Sequence, residues 1–226
     1  MGAGRVGRAV GVVECGITKF GGERMTGFEP TIAGAGKWAI ARGYEWYTTL
    51  RLEHALERAG GKGLTVSELS QSEHRFALFV RMVRALEVCS QNEVVDYIAD
   101  VLIGSVRLEI ADDHPDLAQM AIAALSGVTK LELNLILLMR EHHLWGRTDE
   151  EVRADISYDA FYDDVESRFD LDKFNATAIL NSLIKTGLVT PQASGYGNVV
   201  TVQGNRLTRL AEELFRYVDY AKRLTV

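Results

Sequence analysis

Apolar residues recur along this chain at spacings of three and four, the mark of helices that each bury one face. Phe76, Phe79, Val80, Val83 and Leu86 predict one such helix. Val95, Ile98, Leu102 and Val106 predict the next, opened by Ser90-Gln91-Asn92-Glu93, a capping box in which the Ser oxygen and Glu carboxylate satisfy free N–H groups. His114-Pro115 begins another, because proline suits the first helical turn, and its stripe is Leu117, Met120, Ala121, Ala124 and Leu125. A second box, Thr129 to Glu132, precedes Leu131 to Met139, which is apolar nearly all round and reads as a central buried helix.

Two further helices carry Tyr158, Phe161, Tyr162, Val165 and Phe169, then Ala176, Ile179, Leu180 and Leu183. The texture then changes. Gly187-Leu188-Val189-Thr190 and Val199-Val200-Thr201-Val202 are β-prone runs separated by Pro191, Gly195 and Gly197, a hairpin pattern. A last helix carries Leu207, Leu210, Ala211, Leu214, Val218 and Ala221. Helix, helix, helix, hairpin, helix is the order of a winged helix, with Asn175 to Thr186 in the recognition position.

Upstream, Thr31 to Gly60 reads as one long helix. Its first half mixes Gly34, Gly36, Ala39 and Gly43 with Trp38, Tyr44, Trp46 and Tyr47, which predicts a close helix contact; its second half carries the stripe Leu52, Ala55, Leu56 and Ala59. Gly34 and Gly36 have neither a preceding strand nor the third glycine of a phosphate loop. The expected architecture is mainly α: a Gly-rich flexible leader over 1–30, a helical bundle over 31–127, and a winged-helix-like domain with a small β-hairpin over 128–226. Met25 would serve as a start if the leader is an upstream extension.

At 226 residues, with 47% hydrophobic and 25% charged, the chain has an ordinary globular composition. A net charge of -6 argues against non-specific coating of nucleic acid or anionic membrane, which Lys and Arg drive. Cys15 and Cys89 are too few for a disulfide framework, so a reducing cytoplasm is expected. No apolar run is long enough to span a membrane.

The succession Ser90-Gln91-Asn92-Glu93, Ala99-Asp100-Val101-Leu102, His114-Pro115-Asp116, Leu125-Ser126-Gly127-Val128 and Gly187-Leu188-Val189 resembles the Abi-alpha family of bacterial abortive-infection proteins. The similarity runs over roughly Ser67 to Leu210. It implies a part in phage defence and brings no catalytic residue with it.

Candidate chemistry is sparse. His142 and His143 lack further ligands at metal spacing, and Asp155, Asp159, Asp163, Asp164 and Glu166 fit the wet side of a helix, so neither a metal nor a cofactor is expected. Arg107 and His114 have six residues between them, as in HEPN-type ribonucleases, where a His with a nearby cation cleaves RNA. Leu108 stands where that family has a polar residue. If the winged helix binds DNA, Lys173, Asn175, Thr177, Asn181 and Lys185 are the residues that would meet it. Against this stand Asp163, Asp164, Glu166, Asp170 and Asp172, which repel phosphates, and a hairpin tip with no Lys or Arg. The reading is therefore a non-enzymatic protein that acts through protein or nucleic-acid contacts, with a protein partner or self-association expected. A DNA-binding regulator is the second reading and a ribonuclease the third.

Overall fold

The computed structural model describes residues 32–89, 91–145, 158–196 and 199–224, without the side chains of 32–45, 193–196 and 199–203. The expected leader, Cys15, Met25, Ser90 and Asp155 lie outside these residues, as do the side chains of the small-residue segment Gly34 to Gly43. The chain is mainly helical with one small antiparallel sheet. In order come α1 (Ile32–Gly61), α2 (Val66–Leu69), α3 (Glu73–Val88), α4 (Asn92–Arg107), α5 (Ile110–Asp113), α6 (Pro115–Leu125) and α7 (Lys130–Glu141). Then follow α8 (Tyr158–Phe169), α9 (Lys173–Ser182), a 3-10 turn (Leu183–Thr186), β1 (Val189–Tyr196), β2 (Val199–Leu207) and α10 (Arg209–Arg223). Residues Arg42–Val226 make one compact unit. No helix among the described residues is long and apolar enough to cross a membrane.

The most enclosed helix is α4, which is buried all round from Ile98 to Val106. Helices α3, α6 and α10 pack on it. On the α10 side the contact is made by Gly104, where an added Cβ would lie 2.3 Å from the Tyr217 carbonyl oxygen. Absence of a side chain is what lets the two helix backbones meet there. Helix α7, expected at the centre, buries Leu133, Leu135, Ile136, Leu138 and Met139 and leaves Leu131, Asn134 and Leu137 partly open.

Side-chain caps set the starts of α2, α3, α7, α9 and α10, whereas α4 opens on Gln91 with no side-chain cap in place of the expected Ser90 to Glu93 box. Thr129 and Glu132 form the expected box, and Thr65 and Glu68 form another. Ser72, Asp172 and Thr208 cap α3, α9 and α10. The buried face of α3 is turned by about one residue from the expected stripe: Leu78, Met82, Ala85 and Leu86 are inside, and Phe76 is 55% exposed. In α1, Ala55 and Ala59 are buried as the stripe requires, but Leu56 faces solvent while Arg51 is buried.

Strand β1 pairs with β2 from Val189 opposite Leu207 to Tyr196 opposite Val199, with a bulge between Gln192 and Ala193. The strands run through Pro191 and Gly195, which the pattern had placed between them. A two-stranded ribbon has only edge strands, so proline's missing donor costs no ladder bond on its open side. Leu207 also donates its N–H to the Leu144 carbonyl at 2.8 Å, and Trp145 bridges Leu207.

Acid should weaken this fold through particular carboxylates. The Ser72 hydroxyl, then the Arg75 guanidinium at 2.7 Å, hold Asp112 below its ordinary value. The Thr65 N–H at 2.9 Å, with help from Arg107, does the same for Glu68. A depressed carboxylate adds stability above the unfolded value, about 3.9 for Asp and 4.3 for Glu, and that stability is lost as pH falls through the folded value. Urea midpoints should therefore drop below roughly pH 4. The Asp112→Asn variant should show a shallower drop; an identical pH profile would mean that Asp112 is not held as described.

Candidate nucleic-acid interface

Helix α9 starts where Asp172 accepts a hydrogen bond from the Asn175 N–H at 2.7 Å. Read from sequence as a phosphate-repelling charge, Asp172 is also the N-cap, and α9 begins at Lys173 because of it. Ala176 and Leu180, with Leu183 just beyond, face the core.

The five polar candidates are placed on or just past this helix, and the fold already engages each of them. Asn175 donates its side-chain amide to Asp172 at 3.1 Å. The Thr177 hydroxyl donates to the Lys173 carbonyl at 2.7 Å and lies 3.0 Å from the Tyr162 hydroxyl. Asn181 accepts from the buried Asn205 of β2 at 3.3 Å. Lys173 sits 3.7 Å from Asp159 and 4.9 Å above the Tyr162 ring, with its side chain 66% exposed. Such an exposed pair is worth little, so Lys173 keeps the freedom to meet an anion. Lys185 follows in the 3-10 turn and faces Glu132. Burial alone would raise the Glu132 carboxyl; the Thr129 N–H, the Ser182 and Thr129 hydroxyls and the Lys185 charge outweigh it and hold it below its ordinary value.

Beside its polar residues, α9 also exposes an apolar one. Phe174 is 82% exposed, and Ala178, one turn on, is open too. The sequence carried this signal, since Phe174 falls outside the Ala176, Ile179, Leu180 stripe.

The other candidate residues are dispersed. Arg107 pairs with Glu68 and donates to the Gly63 carbonyl. Its guanidinium thus ties the α2 capping box to the end of α4, and no hydrogen bond or ion pair among the described residues joins it to His114. His114 is the exposed N-cap of α6. His142 is not free: its Nε2 lies 2.9 Å from Asp164, and its ring meets Phe161 edge-on at 5.7 Å. Asp164 also bonds Arg168, at 3.4 Å. Among the described residues no three His, Cys, Asp or Glu side chains come together as a cation site.

A helix with an aromatic at its exposed start, anchored from behind by Tyr162 and Asn205, can present a contact surface. No family model, curated protein or solved structure matches this chain.

Proposed function

We propose that the chain is a non-enzymatic interaction protein of bacterial phage defence, acting in the cytoplasm, with a winged-helix-like C-terminal half that contacts a protein partner. The order α7, α8, α9, hairpin, α10, with Trp145 bridged to the edge of β2, supports a winged-helix-like unit. The packing of α3, α6 and α10 around α4 supports a helical bundle. The observation that carries the choice of partner is the exposed Phe174 on a helix whose Asn175, Thr177 and Asn181 each commit one polar group to a partner within the chain. Solvent-facing aromatics of this kind are enriched at protein interfaces, whereas base readout needs free donors and acceptors. The phage-defence part rests on the Abi-alpha resemblance.

DNA binding is the second reading, favoured by the exposure of Lys173 and Lys185. The ribonuclease reading loses support because Glu68 and Gly63 already occupy the Arg107 guanidinium.

The test is phage challenge of bacteria that express the chain. The parent should reduce plaque formation, Phe174→Asp should abolish protection with an unchanged melting temperature, and His114→Ala should protect as the parent does. Failure of the parent against a broad phage panel, or loss of protection in a folded His114→Ala protein alone, would overturn the proposal.

A further inference from the structure

Helix α10 carries Arg209, Arg216 and Arg223 at intervals of seven residues. Seven residues make nearly two helical turns, so the three share one face at a pitch of about 10 Å. They flank a groove that α10 forms with the end of α4, α5 and the start of α6, opening as cavities of about 480 and 240 Å³ that meet at Arg216. Ile110, Leu117 and Leu210 give the larger cavity an apolar wall, and Leu108 does so for the smaller. The two acids in the lining are already met: Glu213 lies 3.1 Å from Arg216, and Asp219 is held by Arg140. Arg209 and Arg223 are exposed, and their guanidinium groups have no ion pair or hydrogen bond among the described residues.

The chain carries the complement of this groove on another surface. Asp159, Asp163 and Glu166 of α8, with Asp170 just past its end, are exposed and follow one another at four, three and four residues. Asp159 and Glu166, like Asp163 and Asp170, are thus seven apart, the interval of the arginines. Of these four, only Asp159 has a charged partner among the described residues, Lys173 at 3.7 Å. Phe174, 82% exposed, follows Asp170 by four residues. The acidic row and the arginine row belong to one compact unit, and among its described residues no ion pair joins them, so a second copy is what brings them together. Complementary charge steers two surfaces into register, and an aromatic anchored in a pocket supplies much of the affinity.

We propose that the α8–α9 face of a second copy of this chain docks on the groove, its Phe174 seated between α6 and α10 and its Asp163, Glu166 and Asp170 laid along Arg209, Arg216 and Arg223. This inference rests on the reading of Phe174 as a protein contact and names the partner. Arginine suits the part, because its planar fork takes a carboxylate through two bonds and gives up water more readily than an ammonium. The acidic face and the groove are different surfaces, so the contact is head-to-tail and each added copy brings a fresh surface of both kinds until a ring closes.

Sedimentation velocity of the full chain tests this. The average mass should rise above that of one chain as concentration climbs through the micromolar range, and fall back at about 1 M salt, where charges are screened beyond about 3 Å. Phe174→Asp should associate at least about tenfold more weakly, and so should Arg209→Glu with Arg223→Glu. All three sites are exposed, so the melting temperatures should hold. Mixed together, the two variant proteins should form a one-to-one complex, since each keeps the surface that the other lacks. The proposal is overturned if the parent keeps the mass of one chain throughout the micromolar range, if either variant associates as the parent does, or if the mixture forms no complex. A parent of single-chain mass whose Phe174→Asp variant still loses phage protection would sink this inference and leave the proposed function standing; a self-associating parent whose Phe174→Asp variant protects would do the reverse.

Discussion

Gly104→Ala should lower the melting temperature by about 4–8 °C, although alanine is the better helix former. The new Cβ would sit 2.3 Å from the carbonyl oxygen and 2.6 Å from the Cα of Tyr217, and these are backbone atoms that cannot rotate away. Overpacking of this kind costs about 3 kcal/mol at the upper end of its usual range. Against it stands a gain of up to about 1 kcal/mol from replacing glycine inside a helix. The net loss of about 2 kcal/mol converts at about 2–4 °C per kcal/mol for a chain of this size. Circular dichroism melts of Gly104→Ala beside Gly61→Ala, whose Cβ would meet nothing within 4 Å, separate the clash from the propensity. An unchanged Gly104→Ala melt would mean that α10 does not lie on α4 as described.

A larger loss is expected at Arg58. Its Nε and Nη2 each donate to Asp100 at 2.8 Å, and Asp100 is 0% exposed. These bonds raise the Arg58 pKa above its ordinary value, so the cation persists at any workable pH. Removing one partner of a buried pair leaves the other charge uncompensated and costs about 3–5 kcal/mol. For Arg58→Met that is a drop of roughly 6–20 °C. Replacing both partners by apolar residues of similar volume is often neutral, so Arg58→Met with Asp100→Leu should recover most of the loss. If the single variant melts with the parent, or the double variant melts lower still, the pair does not hold α1 to α4.

That pair shows where the sequence stops being readable. The residues are 42 apart and lie on separate helices, and spacing rules speak only of neighbours within a helix. The stripes of α8 and α9, the Thr129 box and Pro115 at the start of α6 were legible because each is local, as was that of α10 from Leu210 on, while Leu207, expected in that helix, closes β2 and pairs with Val189. The Thr65 to Glu68 box is equally local. The face of α3 came out rotated because Phe76 and Val80 mimic an apolar stripe beside the true one. At α9, the helix and its inward residues were legible, but the use of its polar side chains was not. Asn181 is taken up by Asn205, 24 residues away across the hairpin, and Asp172 acts as a cap as well as a charge.

The α9 surface is where the account is most exposed to test. Each phosphate neutralised on duplex DNA adds about 0.9 to the slope of log affinity against log salt. Lys173 and Lys185 alone would give a slope of about −2, far below the 6–10 contacts of an avid DNA binder. The deciding measurement is a salt-series titration of the full chain against mixed-sequence duplex, with Lys173→Glu, Lys185→Glu as control. The account predicts no detectable binding at moderate salt for either protein. Tight binding with a steep salt slope, abolished in the double variant, would contradict it and make α9 a DNA-reading helix.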